Sequence, residues 1–300
     1  MKEIKVYHVD AFTSQPFQGN PAGIVPDASS LNVTQMQQIA NELRLPESAF
    51  LLPSTDPRAD FRIRYFTPQE EINFCGHATV GSAWLLASEY GWTDRSHQVV
   101  FETNVGLVPV TWELNGDKIS KVTMTQISPS VIDIELDRLE IAKAAGIDPE
   151  QLDDRFPIKL ASTGNRHLIL PVKTHAAIDA AEPLWEELSG INRKHNISTT
   201  HLFTFDAKPG FDLYTRDFAP AIGIPEDPVT GAANGALAGY LVLEGILKPD
   251  ASHSLTIGQG DAIGRPGVLD VTITPADAGY EIRVGGSAHI TLEGRLRTAE

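Results

Sequence analysis

Four side chains with chemistry to offer stand in short motifs: Glu47 in LPESAFL, Cys75 and His77 in NFCGHATV, and Asp227 in EDPVTGAANG. A carboxylate flanked by apolar residues, as Glu47 is, has its charged form disfavoured in a dry cleft. Its pKa then rises toward neutrality and suits it to move a proton. The same glutamate could instead face solvent or serve as a helix-end charge. The His77 imidazole could donate to a substrate or assist the glutamate. Cys75 is the single cysteine of the chain and has two readings. It is either a thiol activated at a helix start, acting as nucleophile or base, or a small buried hydrophobe. Racemisation by paired thiols needs a second cysteine on the opposite face of the carbon, and the chain has none. Asp227 could accept from a substrate amine or hydroxyl, although an aspartate before a proline also makes an ordinary turn or cap.

Two alanine-rich helices are expected to position these residues. One covers Thr79 to Tyr90, with its start at Cys75, Gly76 and His77; the other lies in TGAANGALAGYLVLEG, with its start at Thr230 and Gly231. Each start presents unpaired N–H groups and the positive end of a helix dipole. If the two starts face one another they can bracket one anionic ligand and hold a carboxylate without an arginine. Plain capping is the simpler use of either. The two segments also echo each other. Placing Gly76 on Gly231 superposes Ala78 on Ala233, Ala83 on Ala238, Leu86 on Leu241 and Glu89 on Glu244. An aromatic, one residue and a proline precede each helix, at Phe66 to Pro68 and at Phe218 to Pro220. Two similar halves follow, in which small residues let a helix sit close to strands wrapped around it.

The rest of the chain reads mainly as strands, among them residues 1–12, SAFLLP, FRIRYFTP, HLILPV, THLFTFDA and GFDLYTRDFAP. NVTQMQQIANEL has a helical apolar rhythm at Val33, Met36, Ile39 and Leu43. A weak junction near Ser128 to Asp133 precedes a helix containing EIAKAAG, and the terminal RTAE needs no special reading. The expected fold class is α+β. It comprises two pseudo-duplicated domains, residues 1–127 and 128–300, each a highly curved mixed sheet around a central helix, with the final strand able to pack back on the first domain.

Composition narrows the function. The chain has 300 residues, 42% hydrophobic and 21% charged, and its 24 glycines and 20 prolines indicate many turns. With 39 acidic against 24 basic side chains the formal charge is -15, which disfavours an extended nucleic-acid footprint or attachment to anionic lipid. MKEIKVYHVDAF lacks the apolar run of a signal peptide, and no stretch is apolar enough to span a bilayer, so a cytoplasmic protein is expected. Nine histidines include no HExxH, and His77, His167, His195 and His201 lack a ligand spacing, so no metal is expected. GQGDAIG shares only its glycines with a dinucleotide loop and reads as a turn.

Several motifs in order across nearly the whole chain resemble the phenazine-biosynthesis PhzF-like family, within the wider diaminopimelate epimerase-like fold. They are YHVDAFTSQPFQGNPAGIV, LPESAFL, IRYFTPQEEINFCGHATVGSAW, EDPVTGAANGALAGYL and QGDAIGRPG. The resemblance implies an active site in a cleft between two similar domains, a homodimer, and neither metal nor organic cofactor. Glu47 matches the carboxylate that moves a proton during isomerisation of a dihydro-hydroxyanthranilate. His77 and Asp227 match residues that line the cleft, and all three are assigned to catalysis. Asn20, Cys75, Gly76, Thr230, Gly231, Ala232, Gln259 and Gly260 fall in the matched motifs as substrate-contacting positions. Ala232 stands where the phenazine enzyme has serine, which removes a hydroxyl. The second half has no thiol to match the second cysteine of diaminopimelate epimerases, so their two-base reaction is not expected. The expectation is a cofactor-independent isomerase of a small, cyclic or open amino- or hydroxy-carboxylate. Its rivals are a non-catalytic small-molecule-binding or interaction protein, and a racemase or epimerase using Glu47 with another acid.

Overall fold

The structure, a computed structural model, describes residues 2–298. Met1 of the expected first strand and the last two residues of the RTAE tail lie outside the described residues. The chain divides into two compact units. One holds the described residues up to Thr125 together with those from Gly285 onward, and the other holds Gln126–Val284. Among the described residues no helix is long and apolar enough to cross a membrane.

In the first unit the chain runs β1 (Lys2–Ala11), β2 (Asn20–Val25), α1 (Val33–Leu43), β3 (Glu47–Pro53), β4 (Phe61–Phe66), β5 (Glu71–Ile72), α2 (Gly76–Glu89), β6 (Gln98–Thr103), β7 (Gly106–Asn115) and β8 (Lys118–Thr125). The β1–β2 pair is antiparallel, β2–β3 parallel, β3–β4 and β4–β5 antiparallel, β4–β6 parallel, and β6–β7 and β7–β8 antiparallel. The other edge of β1 pairs antiparallel with the chain's last strand, Ala288–Thr298.

Helix α1 starts on a capping box in which Asn32 and Gln35 each accept the other's backbone N–H, at 2.9 and 3.0 Å. It buries Met36, Ile39 and Ala40. Val33, expected on that stripe, is instead exposed at the first turn. Helix α2 has no polar stripe, because every residue from His77 to Ala83 is buried, as befits a helix enclosed by a sheet. Its hydroxyls are satisfied locally: Thr79 donates to the Cys75 carbonyl at 2.7 Å and Ser82 to that of Ala78 at 2.7 Å. Gly81 permits close contact with β1 and β2, since a Cβ there would stand 3.2 Å from Ile24 and 3.4 Å from Val9.

The second unit runs β9 (Ser130–Ile132), α3 (Arg138–Ala144), β10 (Lys159–Ser162), β11 (Arg166–Pro171), α4 (His175–Asp179), α5 (Trp185–His195), β12 (Thr199–Thr204), β13 (Leu213–Ala219), β14 (Ile224–Asp227), α6 (Gly231–Leu243), β15 (His253–Gln259) and β16 (Gly267–Ala276). From β10 onward the pairings are antiparallel, parallel, antiparallel, antiparallel, parallel and antiparallel. This is the order found from β1 to β7, so the echo between the two helices is a repeat of whole topology. Each unit is a curled mixed sheet around one buried helix, α2 or α6.

Helix α6 carries glycine in its interior for a packing reason. A Cβ on Gly239 would lie 2.3 Å from Cβ of Pro129 and 3.2 Å from its Cγ. A proline ring cannot rotate away. Gly239→Ala is therefore expected to lose stability by about 1–2 kcal/mol, overpacking outweighing the better helix propensity of alanine. Urea unfolding of the variant would measure it.

Candidate active site

Glu47 opens β3, where parallel pairing sets it beside Ala22 of β2. Asn20, fully buried, opens β2 two residues earlier. Cys75 caps α2 in an extended conformation, its thiol making no capping hydrogen bond, with Gly76 and His77 as the first two helical residues. This local geometry brings three of the expected site residues together. Glu47 Oε2 lies 3.3 Å from His77 Nε2, and Cys75 Sγ lies 3.5 Å from His77 Nδ1 and 3.8 Å from Nε2.

Burial decides the protonation of this cluster. The Glu47 side chain is 13% exposed and that of His77 8%. Burial raises the Glu47 carboxyl to about 7 and lowers the His77 imidazole to about 4, despite a hydrogen bond to the Pro21 carbonyl that favours the charged ring. The nearby start of α2 favours an anion by only about 0.3–1 kcal/mol. The penalty on the charged carboxylate is roughly 3 kcal/mol, so desolvation wins. Near neutral pH, His77 is uncharged and Glu47 is divided between acid and carboxylate. A neutral imidazole has one N–H, and its donation to Pro21 leaves no second one for Glu47.

The second unit gathers another group of expected residues. Asp227 ends β14, with Thr230, Gly231 and Ala232 following at the start of α6. Thr230 Oγ1 lies 2.5 Å from Asp227 Oδ2 and 3.1 Å from Asp217 Oδ2. Gln259, 1% exposed, binds this loop through both ends of its amide. Its Oε1 accepts from Thr230 N at 3.1 Å and from Asn234 Nδ2 at 2.8 Å, while Nε2 donates to the Asp227 carbonyl at 2.9 Å. The Ala232 carbonyl accepts from Thr163 Oγ1 at 3.3 Å. Gly260 follows with φ +93, where a Cβ would stand 2.3 Å from the Arg265 carbonyl oxygen and 2.7 Å from that of Pro228. One turn of 3-10 helix, Asp261–Ile263, comes next, so GQGDAIG is a tight turn and opens no α-helix.

Behind Thr230 lies a buried chain that sequence reasoning missed. Asp217 Oδ1 accepts from Thr199 Oγ1 at 2.7 Å and from His201 Nδ1 at 2.9 Å. The His201 Nε2 atom is 3.4 Å from Asn234 Oδ1. The available signal was an aspartate inside TRDFA, a strand buried along its whole length. A wholly buried carboxylate needs partners.

His167 adjoins this chain through Thr199 Oγ1, 2.8 Å from its Nδ1. Its imidazole is lowered to about 4, chiefly by burial, with Asp217 opposing and His201 assisting. The folded ring thus refuses a proton that the unfolded chain accepts, and stability falls as pH drops from about 6.5 toward 4. His167→Asn is expected to shrink the stability difference between pH 7 and pH 5 by about 2 kcal/mol, read from urea midpoints.

A family model described as phenazine biosynthesis-like protein matches residues 9–294. The chain is 40% identical over 293 residues to the uncharacterized isomerase YddE of Escherichia coli (strain K12), covering 95% of this chain and 96% of the relative. It is 35% identical over 263 residues to the trans-2,3-dihydro-3-hydroxyanthranilate isomerase of Pseudomonas chlororaphis, covering 87% of each. The crystal structure of a PhzF-family phenazine biosynthesis protein from Bacillus anthracis superposes with a TM-score of 0.91 at 32% identity, covering 99% of this chain and 100% of that one.

Proposed function

The chain belongs to the phenazine biosynthesis-like family, and we propose that it is an isomerase that moves a proton on a small amino- or hydroxy-carboxylate, with Glu47 as acid and base. One observation carries this reading: a buried carboxyl poised at about 7 beside an uncharged imidazole. A proton carrier must give up and take back its proton with similar ease, and a pKa near the working pH provides that. Glu47 as carboxylate takes a proton from a substrate carbon, becomes the neutral acid that its burial favours, and returns the proton elsewhere on the conjugated system. The uncharged His77 ring can accept a hydrogen bond from the acid form and so holds the carboxyl in position. The N–H groups at the start of α2 suit the substrate carboxylate. Asp227, positioned by Thr230 and Gln259, is proposed to accept from a substrate amine or hydroxyl.

The proton transfers use side chains alone, and no cofactor enters the proposal. The name of the Pseudomonas relative, a trans-2,3-dihydro-3-hydroxyanthranilate isomerase, supports a cyclic amino-carboxylate among the substrates to try. Hydrogen–deuterium exchange from buffered heavy water into a panel of such carboxylates, followed by mass spectrometry and NMR, tests the reading. Exchange or double-bond migration that disappears in Glu47→Gln supports it. Compounds that bind the folded protein yet undergo neither would overturn it. The homodimer that the family resemblance implies is proposed with it and is read by sedimentation equilibrium.

A further inference from the structure

We propose that Glu47, Cys75 and His77 form a site for a divalent cation of the zinc class, and that the bound cation holds the enzyme inactive. Only the inactivation rests on the proton-transfer reading above; the metal site stands on its own geometry. The three side chains offer a carboxylate, a thiolate and an imidazole, and one ligand atom from each lies within 4.8 Å of the other two. Zinc takes sulfur at about 2.3 Å, nitrogen at about 2.0–2.1 Å and oxygen at about 2.0–2.2 Å. At tetrahedral angles those bonds place sulfur and nitrogen about 3.6 Å apart and nitrogen and oxygen about 3.4 Å apart. The separations to the one atom His77 Nε2 are 3.8 Å from Cys75 Sγ and 3.3 Å from Glu47 Oε2. The sulfur is also 3.5 Å from Nδ1 and so lies over the ring, and closing the site on a cation at Nε2 takes a rotation of the Cys75 side chain toward Glu47.

The setting fits as well. The His77 ring hydrogen-bonds the Pro21 carbonyl, the kind of outer contact that orients metal-binding histidines. Cys75 and His77 are fixed by the first turn of α2, and Glu47 by the start of β3. Thiolate with imidazole selects zinc, cobalt or cadmium over magnesium and calcium, and two anionic ligands neutralise the dication in a site of low polarity. Three protein ligands leave a fourth position open. A cation on Glu47 and His77 takes the lone pair that would receive the substrate proton, so the metal-bound form cannot carry out the transfer. Spacing along the chain does not reveal such a site, because one ligand comes from a strand and two from a helix start.

Cobalt titration of the chelator-treated, full-length protein tests this. One equivalent of Co²⁺ is expected to produce a sulfur-to-cobalt charge-transfer band in the near ultraviolet and the strong visible bands of tetrahedral cobalt, both removed by added Zn²⁺. Cys75→Ser is expected to lose the charge-transfer band, and His77→Gln and Glu47→Gln are each expected to bind at least about tenfold more weakly. Circular dichroism checks that each variant is folded, and Glu47→Gln, which removes a charge and little volume, keeps the test valid should the other two fail to fold. A wild-type spectrum without charge transfer, or zinc affinity unchanged in the folded variants, would overturn the site. For the inactivation, one equivalent of Zn²⁺ should stop isotope exchange and a chelator should restore it. Exchange that continues at full rate with zinc bound would overturn that half and leave the spectra to decide the site.

Discussion

Glu47→Gln is expected to lower the rate of catalysed proton exchange by about 10²- to 10⁴-fold, the range that a positioned acid or base contributes. Glutamine keeps the shape of the side chain and much of its hydrogen bonding but has no carboxylate to receive a proton. The loss should therefore fall on kcat and on kcat/KM alike, with substrate binding little changed. The pH profile carries the same information. With the folded carboxyl at about 7, kcat/KM of the wild type should rise toward a plateau above that pH, because the ionised form is the base. His77, held neutral down to about pH 4, should add no limb between pH 5 and 8. A rate profile flat through pH 7, or a variant as active as the wild type, would remove Glu47 from the chemistry.

The same substitution separates function from stability. The folded pKa of Glu47 lies above its ordinary value, so the native state holds the proton more tightly than the unfolded chain. Its contribution is complete below about pH 4.5 and is lost as pH rises through about 7, a fall of roughly 3 kcal/mol. His77 has the opposite slope over much of that range, since its folded pKa is depressed. The wild-type curve alone consequently hides both effects. The difference between Glu47→Gln and wild type isolates one of them: near equality at pH 4, and a variant more stable by up to roughly 3 kcal/mol at pH 8, read by urea unfolding.

How much was legible in advance depends on whether the signal was local. The two central helices were, because glycine and alanine at matched positions of α2 and α6 answer to one packing demand, a helix closed in by its own sheet. Glu47, Cys75 and His77 stood out by type and by motif. Their mutual approach did not, since it follows from the parallel β2–β3 pairing and from where α2 begins. Strand order was equally hidden. The parallel β4–β6 and β13–β15 pairs join segments separated by a whole helix, and a period of two reports a strand's faces but not its neighbours. The approach of Asp217 to His201 was hidden for the same reason. Asp217 on β13 meets Thr199 and His201 of β12, and His201 in turn meets Asn234 of α6.

The duplication extends further than matched positions reveal, into a pair of ion pairs whose energies should differ. Arg216 and Glu226 make two hydrogen bonds, at 2.9 and 2.7 Å, with both side chains 7% exposed. Arg216 Nη1 also donates to the carbonyls of Ile178 and Ala181, at 2.8 and 3.0 Å. In the first unit Arg64 and Glu71 make the same two-pronged contact, at 2.7 and 2.6 Å, but are 22% and 26% exposed. Each arginine stands two residues before a phenylalanine whose ring it overlies, Phe66 or Phe218. That phenylalanine faces the glutamate across an antiparallel pair, Phe66 opposite Glu71 and Phe218 opposite Glu226. The two pairs escape a single-offset comparison because arginine and glutamate are seven residues apart in one and ten in the other. The longer connection contains the 3-10 turn Pro220–Ile222. Glu226→Gln leaves a guanidinium buried without its counter-charge and is expected to cost about 3–5 kcal/mol. Glu71→Gln leaves its arginine within reach of water and should cost about 1–2 kcal/mol, between the surface and buried cases. Urea unfolding of the two variants compares them directly. Equal losses would mean that the geometry of the contact sets its worth; a larger loss at Glu226 would mean that burial of the charge left behind does.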